Sequence, residues 1–321
     1  MSQQHLPPAI FLMGPTASGK TAVAVELAQQ LPVELISVDS ALVYRDMNIG
    51  TAKPDTATLT AAPHHLIDII DPTDVYSAAA FRTDALQLMQ DISARGKIPL
   101  LVGGTMLYFR ALRFGLSDLP QADEDVRADI EKQAAQAGWP HMHDELAKID
   151  PETAARLKPN DSQRIQRALE IYRISGQPMS ALLQQQQPYQ LPYKLIPLAL
   201  IPSDRKPLHE RIATRFAEML KLGLLDELRE LQNKYDLNND MASMRCVGYR
   251  QAWQCLAGEI DHIGLLEQGI AATRQLAKRQ LTWLRGMPDN IEFDCFMPDL
   301  SQQILNAVRV QLDQHHSKNP I

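Results

Sequence analysis

Only three of the 321 residues are cysteine: Cys246, Cys255 and Cys295. The number is odd and the spacing is not that of a metal site or a disulfide framework, so reduced, half-buried thiols are expected. No apolar run reaches the ~18 residues that cross a bilayer. The opening stretch MSQQHLPPAIFLMG lacks the basic-then-apolar pattern of a secretory signal. No internal repeat is visible. No N-K-x-D stretch is present, which argues against a guanine-reading switch protein. There is also no surplus of positive charge. With 38 acidic and 32 basic residues, the formal net charge is −6. Taken alone, that weighs against a nucleic-acid partner unless the basic residues cluster. A soluble, cytoplasmic chain with no membrane partner is expected; a monomer is the working expectation, which these absences do not decide. Hydrophobic residues are 45% and charged residues 22%, an ordinary globular balance. The length suits one large domain carrying a smaller unit.

Strand and helix signals alternate at first. Ala9 to Met13, Val33 to Val38, Leu66 to Ile70 and Ile98 to Val102 read as strands, and residues 20–31 and 77–95 as helices. This order predicts an α/β fold, a parallel sheet flanked by helices. From residue 121 to 190 the pattern turns helical. Strand character returns at 195–201 and at Ile291 to Phe296, among helices at 208–222, 224–235, 246–257 and 268–285. The expected organisation is a core from residues 1–120 and 191–321, with an all-helical insertion at 121–190.

The most specific local pattern is Gly14-Pro15-Thr16-Ala17-Ser18-Gly19-Lys20-Thr21. G-x-x-x-x-G-K-T between a strand and a helix is a P-loop. Its glycines let backbone N–H groups surround phosphate oxygens, and the following helix presents its positive end. Lys20 adds a mobile positive charge, and Thr21 offers a hydroxyl to a magnesium ion. The loop does not dictate phosphoryl transfer. A diphosphate that departs as a leaving group needs the same cradle.

Asp39 follows the second strand, and ligands of open parallel sheets bind beyond the strands' carboxyl ends. It reads equally as a general base in that crevice or as a cap for the turn at Ser40. Thr105 follows Gly103-Gly104 at another strand end. From position alone it reads as a helix cap.

Seven motifs then occur in order. They are GPTASGKT at 14–21, VDSALVYRDMNIGTAKP at 38–54, HHLID at 64–68, GGTMLYFRAL at 103–112, QRIQRALEIYR at 163–173, RCVGYRQ at 245–251 and KRQLTWLR at 278–285. Together they resemble the bacterial tRNA dimethylallyltransferases, across residues 9 to about 286. The resemblance implies transfer of a dimethylallyl group from dimethylallyl diphosphate to N6 of adenosine 37 in tRNA. It implies that Gly14 to Thr21 hold the diphosphate with Mg²⁺, that Asp39 takes the N6 proton, and that Thr105 lies beside the reacting centre with Lys20. The implied tRNA contacts are Asp39, Ser40, Ala41, Leu42, Thr105, Arg127, Gln163, Arg164, Ile165, Gln166, Arg167, Arg245, Cys246, Val247, Gly248, Tyr249, Arg250, Lys278, Arg279 and Arg285. Leu42 stands where the family often has Gln, so a polar contact from that Gln is not carried over. His64 and His65 match the family and are read as structural.

Basic residues do cluster. Residues 270–286 hold Arg274, Lys278, Arg279 and Arg285 and no acid. On a helix, Arg274, Lys278 and Arg285 fall within a ~40° arc, with Leu276 and Trp283 roughly opposite, facing the core. Residues 156–173 carry five basic side chains against Asp161 and Glu170. Such stripes are commonly just solvated faces; bound to tRNA they would make affinity salt-sensitive. The rival reading is a P-loop kinase using ATP, with Asp39 as base for a hydroxyl.

Overall fold

A computed structural model describes residues 6–117, 119–185 and 189–317. The chain forms two compact units, one from residues 1–113 and 191–321, the other from 114–190.

β1 (Pro8–Met13) is buried from Ala9 onward and runs into the glycine loop, from which α1 (Lys20–Gln30) departs. β2 (Val33–Val38) follows. α2 (Thr56–Ala61) is capped by Asp55 and leads to the two-residue β3 (His64–His65). α3 (Ala78–Ala94) is capped by Ser77, whose side chain accepts the Ala80 N–H. β4 (Ile98–Gly103) and α4 (Met106–Phe114) complete the first half. The helical unit contains α5 (Glu124–Ala137), α6 (Trp139–Ile149), α7 (Pro151–Arg156), α8 (Ser162–Ser175) and α9 (Met179–Gln184). Then come β5 (Lys194–Ile201), α10 (Arg205–Lys221), α11 (Leu224–Lys234), α12 (Tyr249–Leu256), α13 (His262–Arg285), β6 (Ile291–Asp294) and α14 (Leu300–Ser317).

The six strands run in the order β3-β2-β4-β1-β5-β6, every pair parallel. Burial on both faces explains the continuous apolar runs of the central strands. On one face Ile10, Leu12, Leu35, Leu100 and Leu198 pack with Val23 and Leu27 of α1 and Ile304 and Val308 of α14. The alternate residue Phe11 meets Phe109 of α4, ring centroids 5.1 Å apart. A separate core joins α10 to α13 beneath Val43, Tyr44 and Met47. In the helical unit, Ile130, Met142, Leu146, Ile165 and Leu169 form the interior. No helix among the described residues is long and apolar enough to cross a membrane.

One strand lies elsewhere than its sequence suggests. Pairing with β2 occurs at His64–His65, and 66–70 is not a strand. Leu66 and Asp68 take positive φ, 64° and 56°, which breaks extended geometry. The Asp68 and Ile69 N–H groups instead donate to the carbonyls of Leu42 and Val43. The apolar run therefore folds against the segment after β2 and leaves the sheet.

The register aligns the functional loops. Met13 pairs with Gly103, and Gly103 with Val38. The glycine loop, Asp39 and Thr105 consequently leave neighbouring strands at one level. A Cβ on Gly103 would lie 2.0 Å from the Val38 carbonyl oxygen, so only glycine lets these strand ends converge.

Candidate active site

The glycine loop is built to receive an anion. Ala17 and Gly19 take positive φ, 65° and 87°, and the residues between and beside them do not, an alternation that curls the backbone into a nest. α1 begins with no side-chain cap, which leaves its first N–H groups available. Lys20 folds back, donating from Nζ to the Pro15 carbonyl at 2.6 Å. Its burial lowers its pKa to about 8, against the opposing pull of Asp39.

Asp39 caps its turn with one carboxylate oxygen and keeps the other unbonded. Oδ1 accepts the N–H groups of Ala41 (2.8 Å) and Leu42 (3.4 Å), capping the turn. Oδ2 takes no hydrogen bond among the described residues and is left for the cleft. Burial raises the carboxyl's pKa above its ordinary value; the Ala41 N–H and Lys20 act the other way. The Thr105 hydroxyl crosses to the same turn. It accepts the Ser40 N–H at 3.0 Å and lies 3.4 Å from Ser40 Oγ, and so does not cap α4.

A cleft of about 870 Å³ unites these groups. Its lining holds Lys20, Arg211, Arg215, Arg245 and Arg279 but a single carboxylate, Asp39. The two α10 arginines lie four residues apart on one helix face. Arg215 donates from Nη2 to the Thr16 hydroxyl, and Arg211 stacks over the Phe296 ring at 4.4 Å. α13 crosses α10 at Gly269, where a Cβ would meet the Phe216 ring at 1.9 Å. That close crossing brings Gln280 and Trp283 to the cleft. Gln280 Oε1 accepts the Thr16 N–H at 2.8 Å, and its Nε2 donates to the Gly104 carbonyl at 2.9 Å.

The family model described as IPP transferase matches residues 42–287, and that for isopentenyl transferase matches 8–69. A tRNA dimethylallyltransferase of Methylobacillus flagellatus is 65% identical over 303 residues, 94% of this chain and 96% of that one. Another, from Thiobacillus denitrificans, is 60% identical and covers 97% and 99%. Among solved structures, the tRNA isopentenylpyrophosphate transferase of Bacillus halodurans superposes with a TM-score of 0.71 at 36% identity, covering 97% and 98%. A eukaryotic dimethylallyltransferase acting on tRNA gives 0.77 at 29%, covering 98% and 81%. The chain belongs to the IPP transferase family.

The contacts implied by resemblance to this enzyme family divide by burial. Ser40, Ala41, Leu42, Thr105, Arg245, Cys246, Val247 and Arg279 line the cleft. Arg250, Lys278 and Arg285 are exposed, and Gly248 is buried. The side chains of Tyr249 and Ile165 are fully buried, so neither can touch RNA. Trp283 and Leu276 need correcting as core residues. Both line the cleft, and Trp283 is 40% exposed with Arg110 over its ring. The core side of α13 is instead Leu265, Thr273, Ala277, Leu281 and Leu284.

In the helical unit, buried Glu170 accepts from Arg127 Nε and Arg167 Nη1. Arg164 pairs with Asp161, and Arg173 with Asp129. Gln166 donates to Glu131, and Gln163 is exposed. The basic excess there is smaller in space than in sequence. On α13, Arg274, Lys278, Arg279 and Arg285 form no ion pair among the described residues. Cys246 is an inert thiol, pushed up to about 12 mainly by burial. His64 Nδ1–H donates to the Ala62 carbonyl, and His65 meets Glu34.

Arg211, Arg215 and Gln280 escape sequence reasoning. The i, i+4 arginines of RIATRF resemble any solvated helix face, and Gln280 sits inside a motif whose cations are its visible feature.

Proposed function

We propose that this chain transfers a dimethylallyl group from dimethylallyl diphosphate to N6 of adenosine 37 of tRNA. The observation that carries the reading is the cleft with five cations and one carboxylate, in which an anion nest and a base face one volume. A diphosphate leaving group requires the first and an amine nucleophile the second.

The glycine loop from Gly14 to Thr21 binds the diphosphate, helped by Lys20, Arg211 and Arg215. The adenine amino group is a weak nucleophile, because its lone pair is delocalised into the ring. As N6 bonds to the allylic carbon, the C–O bond breaks and its electron pair leaves with the diphosphate. The N6 proton passes to Asp39 Oδ2, which only then becomes neutral. Thr105 holds the 39–42 turn in place through Ser40. Adenosine 37 must leave its loop stack to arrive. Arg245, Arg250, Lys278, Arg279 and Arg285 carry the phosphates of the anticodon arm, and Arg127 and Gln163 to Arg167 offer further contacts from the helical unit.

The residues fit a magnesium ion held largely by its substrate. Among the described residues no cluster of three acidic, His or Cys ligands exists. Hard oxygens are nevertheless present: the Thr21 hydroxyl lines the cleft, as does Ser37, whose buried Oγ has no hydrogen-bond partner. Mg²⁺ typically keeps waters and binds through substrate phosphates. When bound, the ion offsets charge that develops on the departing diphosphate.

Incubation with dimethylallyl diphosphate and unmodified tRNA, followed by nucleoside analysis, should yield N6-(dimethylallyl)adenosine. ATP consumption on a small acceptor, with no prenylated nucleoside, would establish the kinase reading instead.

A further inference from the structure

Two sequence motifs, the 38–54 run and the RCVGYRQ run, form separate walls of the cleft. They meet at a buried carboxylate outside it. Glu227 of α11 accepts four donors. Its Oε2 takes the N–H groups of Asn48 (2.9 Å) and Ile49 (2.7 Å). Its Oε1 takes the Gly50 N–H at 3.1 Å and the Tyr249 hydroxyl at 2.5 Å. The three successive N–H groups belong to a turn with no strand partner, and buried N–H groups need an acceptor. A carboxylate can serve four donors, and a neutral amide oxygen cannot.

The contact is also sterically specified. A Cβ on Gly50 would lie 2.5 Å from the Tyr249 ring. Gly248 takes a φ of 100°, and a Cβ there would lie 3.3 Å from the Gly50 carbonyl oxygen. Gly50, Thr51, Ala52 and Pro54 line the cleft on one side of this junction, and Ala242 and Arg245 to Val247 on the other. Neither Glu227 nor Tyr249 lines it.

We infer that Glu227 and Tyr249 are a positioning pair that fixes the spacing between two RNA-facing walls of the cleft. The inference rests on the tRNA prenyl transfer proposed above. Tyr249 thereby acts on tRNA through the backbone it holds. The diphosphate nest lies on other elements, so disturbing the pair should weaken tRNA capture and spare diphosphate binding.

The test is steady-state kinetics of the full chain with both substrates varied. Tyr249→Phe removes one donor and leaves Glu227 three. Glu227→Gln keeps the size but leaves at least two donors unserved. The KM for tRNA should rise about threefold to tenfold in the first and about tenfold or more in the second. The kcat and the KM for dimethylallyl diphosphate should stay within about twofold of wild type. The double variant should resemble Glu227→Gln alone, because the two groups act as one. An unchanged tRNA KM in folded Tyr249→Phe protein would overturn the inference. So would a fall in apparent kcat in proportion to the folded fraction by circular dichroism with both KM values unchanged, which marks a mere pillar. If wild type transfers no prenyl group, the underlying reading fails, a separate result.

Discussion

Gln280 donates from Nε2 to the carbonyl of Gly104 at 2.9 Å while its Oε1 holds the Thr16 N–H at 2.8 Å. One amide thus ties the glycine loop to the turn that carries Thr105, from a helix whose outer face is cationic. A Cβ at Gly104 would meet this amide at 2.4 Å, so the turn is shaped around it. Gln280→Leu preserves bulk and removes both bonds. We expect kcat/KM to fall about tenfold to a hundredfold, from ~1–3 kcal/mol of forfeited preorganisation. Steady-state assays check this; an unaltered kcat/KM would show that the loops hold their spacing without the amide.

The cap and the proposed base at Asp39 can be separated by substitution. Asp39→Asn keeps an oxygen for the Ala41 and Leu42 N–H groups but cannot accept the N6 proton. Its kcat should drop by ~10²–10⁴ with diphosphate and tRNA affinity retained. Asp39→Ala loses the cap as well, and its thermal midpoint should fall below that of the Asn variant by the equivalent of ~1 kcal/mol. Equal turnover in wild type and Asp39→Asn would remove Asp39 from the chemistry.

The pH dependence has a sign on each side. As the proposed base, Asp39 must be ionised, and burial raises its pKa, so kcat/KM should rise with pH through a value above that of a solvated aspartate. Lys20 works only when charged, and burial lowers its pKa to about 8, so kcat/KM for dimethylallyl diphosphate should decline as pH climbs past that point. The profile is a bell. Lys20→Arg keeps the charge at high pH and should remove the alkaline limb, whatever it costs in absolute rate. A wild-type profile still flat well above pH 8 would mean that no such cation titrates.

Much of this architecture is legible in the sequence, because it depends on short-range pattern. The glycine loop, the apolar runs of β1, β2, β4 and β5, and the Asp161 and Gly176 ends of α8 need only neighbours to be recognised. What escapes depends on distant partners. The third strand shifts because Leu66 and Asp68 adopt left-handed backbone to reach Leu42 and Val43. Trp283 cannot be assigned to cleft or core until α10 is known to cross α13 at Gly269. Glu227 looks like a surface acid of an amphipathic helix until Asn48, Ile49 and Gly50 arrive from 177 or more residues away. Leu42 remains a departure from the family's frequent Gln; the structure shows it on the cleft wall, donating its N–H to Asp39.

An acidic chain that acts on tRNA must still hold a polyanion, and α13 is the proposed means. Its four cations lack internal ion pairs among the described residues, unlike Arg164 and Arg173 of the helical unit. They are therefore free to exchange counterions for phosphate. Replacing Lys278 and Arg285 by Ala should weaken tRNA binding and reduce the slope of log K against log salt by about 1 for each phosphate left without its cation. Arg164→Ala, which removes a cation already paired with Asp161, should change the slope less. Both side chains of the α13 pair are exposed, so the fold should be unperturbed and the thermal midpoint within ~0.5 kcal/mol of wild type. Filter binding across a salt series measures the slope directly. A slope identical to wild type in the double variant would show that this face is merely solvated, and the phosphate contacts would then have to come from the cleft arginines.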